Sequence, residues 1–510
     1  MRAVRNFILG SAAVLVTAGG AQAADLPVKA KAVEYMRICS LYGAGFWFIP
    51  GTDTCIKLGG YLRVDTTFNG GTQGAPAWNG DLGQQNRYRD YYSARSRMAF
   101  TVDTRTASEY GVVRTFLQAD IQFSTVGNNT VNPNLFAALP TATSLLNNPG
   151  DGYVAVESVF IQFAGFTFGK SVSAFSTPWN AFPGNISSFL IGGHDTTTGV
   201  NNIQYTTEFG QGVSASIGLD DPVAFGRTSV YNIGAGASAI SALGVSSNYY
   251  AGVRSPDVVG NIRVDQAWGL FQLSGALHEV SGSYNLANAN ATPTNLSEIS
   301  GHPDARWGGA VMAGLQIKNL PTGAGDDIKV DATWSRGDTK NVVSTSAASP
   351  NFAMFSGSGV AYQSVGFGAT TDGIYVPGGA IQLTEAYGVR GAFNHNWDPK
   401  WSSSLFGSYS AVRYNGAAKA TYCTSYGAAV PGLGVTYSCN PDFNVSQLGV
   451  ITRWVPVKNL TFSAEVMWFH LDQSFTGTAT LTPTAPKPTA VYEFKDQNSV
   501  SLQLRAQRNF

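Results

Sequence analysis

Residues able to do chemistry are sparse in this sequence, and their spacing argues against catalysis. The stretch GFTFGKS (165–171) comes near a phosphate-cradling loop, but three residues separate its glycines where that loop needs four. The five histidines, at 194, 278, 302, 395 and 470, have no spacing that builds a zinc site. A Gly-x-Ser-x-Gly elbow does not occur. Asp220/Asp221 and Asp326/Asp327 fall at the ends of alternating stretches and read as solvated turns. The four cysteines form two local pairs, Cys39/Cys55 and Cys423/Cys439, without metal-ligand spacing. In an oxidising compartment each pair closes a loop. Lysines and arginines alternate with acids instead of clustering, which speaks against nucleic-acid binding. Neither an enzyme nor a metal or cofactor site is expected.

What remains is a set of cations at alternate positions, suited to setting a field in water. Lys57 and Arg63 share a face with Tyr61 and Asp65, opposite Ile56, Leu58, Leu62 and Val64. Arg95, Arg97 and Asp103 lie opposite Met98, Phe100 and Val102. Arg114, Gln118, Asp120 and Gln122 lie opposite Val113, Leu117, Ala119, Ile121 and Phe123. The pattern recurs in DVVGNIRVDQ (257–266) and DIKVDATW (327–334), and in the last stretch, where Gln503, Arg505 and Gln507 oppose Val500, Leu502, Leu504 and Ala506. A period of two over such runs is that of β-strands with one apolar face.

The chain opens with Arg2 and Arg5, an apolar run from Phe7 to Ala18 and the small-x-small triplet Ala21-Gln22-Ala23. That order is a secretory signal, residues 1–23, cleaved after Ala23. Its removal takes away two arginines and no acid, leaving a slightly acidic remainder. Elsewhere no run reaches the roughly eighteen apolar residues of a membrane helix. Charged residues make up only 13% of the chain while glycine reaches 58 residues, a composition that suits a β-rich secreted chain.

A soluble sandwich also alternates, so the loops decide. Tight turns (RTASEYG, AWG, NLPTGAG, NWDP, VPVKN) alternate with long polar loops near 172–200, 222–250, 281–304, 337–382, 414–441 and 472–496. Soluble folds seldom carry so many long loops, whereas outer-membrane barrels have short turns at one end and long loops at the other. The count gives about sixteen strands, the even number that a closed antiparallel barrel needs. Trp268, Phe393, Trp397, Trp401, Trp454 and Trp468 sit beside turns or loops, where interfacial aromatic girdles lie.

A barrel of that size encloses an aqueous channel. A charge at the lipid midplane costs about 2–4 kcal/mol, so the cations must face inward. Lys57, Arg63, Arg95, Arg97, Arg114 and Arg505 then form a cationic wall on the first three strands and the last. The loop at 172–200 is the candidate constriction. It holds Phe175, Trp179, Phe182, Phe189, Leu190 and Ile191, more apolar surface than an exposed loop needs, and one carboxylate, Asp195. Facing the arginines, Asp195 would set a transverse field across the eyelet. The alternative is a loop that packs outside or at a subunit contact.

The run from Val33 to Asp65, with RICSLYGAGF, IPGTDTC and GGY, resembles the mature N-terminus of porins of the rhizobial and brucella type in alphaproteobacteria. ADLPVKA, SRMAFTVDTRTASEYG, FIQFAGFTFGKS, SPDVVGNIRVDQAWG and the closing Phe510 are similar too, so the likeness covers the mature chain apart from the loops. The resemblance implies a sixteen-stranded, multi-pass barrel in a Gram-negative outer membrane, embedded in its lipid. It also implies a homotrimer that passes small hydrophilic solutes and ions passively. It further implies that the third long loop folds inward, that Arg95, Arg97 and Arg114 line the eyelet, and that Cys39 and Cys55 form a bridge near the periplasmic end. Phe510 resembles the signal read by outer-membrane assembly machinery. Residues 24–54 would form a periplasmic N-terminal segment and 55–510 the barrel. Two other readings stay open: a sugar-selective channel with Tyr61, Tyr153 and Trp179 in a stacking track, and a soluble secreted β-rich binding protein.

Overall fold

The computed structural model describes residues 37–87, 89–124, 151–179, 181–194, 198–223, 226–234, 239–288, 291–345, 349–430 and 436–510, without the side chains of 151–153. The signal segment 1–23 and residues 24–36 of the expected N-terminal segment 24–54 therefore lie outside the described residues.

Sixteen long antiparallel strands close into one barrel. They are β1 (Thr54–Phe68), β2 (Tyr92–Ser108), β3 (Gly111–Ser124), β4 (Asp151–Phe163), β5 (Phe166–Ser171), β6 (Val200–Gly210), β7 (Val213–Asp220), β8 (Asp257–Asp265), β9 (Gly269–Val280), β10 (Arg306–Lys318), β11 (Asp327–Arg336), β12 (Glu385–Asn396), β13 (Trp401–Arg413), β14 (Phe443–Val457), β15 (Leu460–Gln473) and β16 (Gln497–Asn509). Each pairs with its chain neighbours, and β16 pairs with β1 from Asn509 opposite Tyr61 to Leu502 opposite Phe68. Closure leaves no free sheet edge, which an open sheet would present to other chains. Phe510 extends the seam, its backbone exchanging hydrogen bonds with Gly60 at 3.1 and 3.3 Å. Gly60 is at φ 150°, and a Cβ there would meet the Ala99 carbonyl oxygen at 2.0 Å.

Alternation sorts the side chains as the pleat requires. On β14, Leu448 and Val450 are about half exposed on the outside, while Gln447 is buried on the inside. Outer faces elsewhere are apolar: Ile121, Ile217, Leu273 and Leu405 are all exposed. Trp268, Trp397, Trp401 and Trp454 are exposed at the short-turn end, and Trp307 and Trp334 at the long-loop end, as two girdles. The seven connections at one end are short; those at the other are long, with 172–199 third in order.

The long loops differ from the expected loose polar connections. They build a packed cap with its own five-stranded sheet (Phe352–Ser356, Gln363–Gly368, Ala490–Phe494, Thr476–Leu481, Thr436–Ser438) and a helix over Gly416–Ala429. Asn415 caps that helix, its Oδ1 accepting from the Ala418 N–H at 2.8 Å. Trp78, from the first loop, packs edge-on against Phe189, Phe352 and Phe469. Stretches such as FAMFS are too short and too glycine-flanked to announce themselves as strands; burial against one another makes them so. Disulfides Cys39–Cys55 and Cys423–Cys439 are both formed, the first beneath the short-turn end of β1 and the second in the cap.

Candidate pore constriction

Inner faces of β12 to β15 carry residues that water would not favour: Ala392, Phe406, Ile451 and Met467 are buried. Loop 172–199 covers them. It enters the lumen after β5 and packs Phe175 on Val259, Ala276, Ala310 and Met312 of β8–β10, then Leu190, Phe182 and Ile186 on the β12–β15 patch. The apolar content that marked this loop in the sequence is thereby buried inside the barrel.

Polar anchors fix its path. Inward side chains donate to loop carbonyls: Asn261 to Ala174 (2.6 Å), Gln272 to Ser176 (2.7 Å), Arg263 to Pro178 (3.0 Å) and Gln447 to Phe189 (2.8 Å). Glu465 accepts from the Ile186 and Ser187 N–H groups at 2.6 and 3.2 Å. Arg390 is wholly buried. Its Nε donates to both oxygens of the equally buried Asp331 (3.1 and 3.2 Å), and its Nη2 to the His194 carbonyl (2.8 Å). Gly193 permits that approach, because a Cβ there would meet Asp331 Oδ1 at 2.2 Å.

The lumen left open lies between this loop and the opposite wall of β16 and β1–β5. A cavity of about 520 Å³ sits there, lined among others by Arg63, Arg97, Asp120, Glu157, Lys170 and Arg505. Arg97 Nη1 pairs with Asp120 (2.6 Å) and Glu157 (3.2 Å), and Lys170 donates to the Glu157 carbonyl (3.0 Å). Asp65, wholly buried, is shared by Arg95 and Arg505, each Nε at 2.6 Å. Arg63 donates its Nε–H to Gln507 Oε1 (2.8 Å) and stacks over Tyr61.

The sequence-derived set therefore divides. Arg63, Arg97 and Arg505 line the cavity. Arg95 is buried behind it against Asp65. Arg114 is on the same inner wall but nearer the short turns, held by Asp103 and Gln162. Lys57 lies lower still, over the Phe46 ring beside the Cys39–Cys55 bridge. Asp195 and the Tyr153 side chain lie outside the described residues. Glu157, Lys170, Asp331, Arg390 and Glu465 were not singled out from the sequence. Their signal was present in part: Glu465 is the one acid within the apolar run of β15, at an inward position. A carboxylate there needs partners, and the loop supplies them.

A family model of the porin subfamily matches residues 25–503. The chain belongs to the porin subfamily. Membership places the barrel in a Gram-negative outer membrane. It is 31% identical over 268 residues to porin Omp2b of Brucella abortus (strain 2308), a match spanning 52% of this chain and 63% of that one. Omp2b of Brucella melitensis biotype 1 gives the same identity and coverage. The chain thus spans less than two thirds of these curated relatives. The crystal structure of the outer membrane channel DcaP of Acinetobacter baumannii superposes with a TM-score of 0.54 at 15% identity, over 91% of this chain and 99% of that one. That likeness concerns the fold.

Proposed function

We propose that this porin is a water-filled channel for passive diffusion of small hydrophilic solutes and ions across the outer membrane, with no catalytic step. The observation that carries the reading is the inward course of loop 172–199, which fills one side of the lumen and leaves a charged aqueous passage along β16 and β1–β5. Charges there are hydrated or paired, so a solute meets water and a charged wall on one side, with Phe182 and Ile186 of the loop opposite. Family membership supports a homotrimer embedded in outer-membrane lipid and inserted by the assembly machinery of that membrane. Arg63, Arg97 and Arg505 are proposed as constriction residues, with Arg95, Arg114 and Lys57 contributing to the field from the same wall; the Asp195 role remains a proposal of the same kind. The purified, folded protein should produce stepwise conductance in planar bilayers, and cross-linking should report three subunits. Folded protein that never conducts refutes the channel; a monomer in cross-linking refutes the trimer.

A further inference from the structure

We propose that the constriction holds an oxyanion-binding subsite, formed by the guanidinium groups of Arg63 and Arg505, that takes the carboxylate or phosphate group of a small organic anion in transit. The inference rests on the channel reading above and names the solute class it favours.

Charge around the cavity is uneven. On β2–β5, Arg97 and Lys170 are matched by Asp120 and Glu157, which leaves that half neutral. On β1, β2 and β16, three guanidiniums share one carboxylate: Asp65 binds Arg95 and Arg505, while Arg63 meets the neutral Gln507 amide and the Tyr61 ring and has no carboxylate partner among the described residues. Among the described residues a surplus of two positive charges is thus localised at Arg63 and Arg505. Farther round the wall Arg453 and Glu465 offset each other, and both are engaged with loop 172–199.

Geometry gives these two residues a common target. Asp65 faces Arg505 and Arg63 faces Gln507 across the seam, so the two arginines are diagonal neighbours on one face, a separation of about 7–8 Å with the Cβ atoms somewhat closer. That spacing lets two guanidiniums converge on one oxyanion, the planar recognition for which arginine is suited. Arg505 has only 8% of its side chain exposed, and its Nη2 has no hydrogen-bond partner among the described residues. A buried donor left without a partner is costly, and a passing oxyanion would supply one. Across the cavity Phe182 and Ile186 offer apolar surface, and Asn185, which also lines it, has a buried Oδ1 without a partner among the described residues. The subsite should hold its anion weakly, since conduction needs release as well as entry.

The test uses the full protein in planar bilayers. In a potassium chloride gradient the wild type should favour chloride. Succinate and inorganic phosphate, added separately, should each lower chloride current saturably, while glycerol should not. Arg63→Gln should cut the chloride-over-potassium permeability ratio by about threefold at 0.1 M salt, as expected for one charge roughly 6 Å from the path. It should also raise the half-blocking concentration. Arg505→Gln, which leaves Asp65 its Arg95 partner, should do the same. Lys458→Gln, an equal loss of charge in an exposed periplasmic turn, is expected to change neither quantity. Block by only one probe assigns the site to that oxyanion. Conducting channels with no block by either probe, or with R63Q and R505Q indistinguishable from wild type, overturn the subsite and leave the channel reading standing. Absence of conductance in the wild type overturns the channel reading itself.

Discussion

Replacing Arg390 by methionine tests how loop 172–199 is held inside the barrel. Methionine keeps much of the length and fills the space, but removes every donor. Two losses follow. Asp331, wholly buried and bonded to Arg390 through both oxygens, is left without its cation. Breaking such a pair from one side costs about 3–5 kcal/mol. The charge-assisted bond to the His194 carbonyl is also lost, worth about 1.5–3 kcal/mol. The variant should therefore be about 5 kcal/mol less stable around this anchor. The double variant Asp331→Asn with Arg390→Met removes the stranded charge and should recover about 3 kcal/mol, leaving the loop contact unmade. Denaturant unfolding of the detergent-folded barrel reads the first effect. Open-channel noise reads the second, because the stretch 193–194 loosens while 184–192 stays held by Arg453, Glu465, Gln447 and the Val342 carbonyl. If R390M matches wild type within about 1 kcal/mol and its noise is unchanged, the anchor reasoning fails. If the double variant is no more stable than the single one, the stranded-charge account fails.

Val450→Arg, on the lipid face, should cost about 2–4 kcal/mol in folding into vesicles, whereas Gln118→Arg at the cavity wall should fold normally. Opening Cys39–Cys55, which spans 16 residues, should raise protease cleavage within 37–53 about a hundredfold while the barrel stays folded. Trp78→Ala should cost about 3–5 kcal/mol by removing the ring at the centre of three aromatic contacts, seen as faster hydrogen exchange in 69–91. Burial of Lys487 in the cap lowers its pKa to about 8. The opened loop then binds the proton more tightly than the closed one, so protection of 482–495 should rise with pH from about 8 to about 10.4. Lys487→Met should flatten that profile; an unchanged profile refutes the assignment.

By itself the sequence determined the barrel. Alternation in β1, β2, β3, β8, β11 and β16 and the rhythm of short and long breaks define strands, inward faces and an even count. Each of these follows from a local rule, the two-residue pleat combined with the cost of charge in lipid. The same rule placed Arg63, Arg97 and Arg505 on the water side, and the excess apolar surface of 172–199 pointed it inward. What tertiary structure decided is which inward charges meet. Arg95 is consumed by Asp65, and Arg97 is neutralised by Asp120 and Glu157 from two further strands. Among the described residues Arg63 and Arg505 are left in surplus at a seam joining residues 442 positions apart. Such pairings depend on register between distant strands, which no local period encodes. Loop anchoring by Arg390 and Glu465 and the packed cap have the same origin: their partners come from across the lumen, and burial there gives each short stretch its shape.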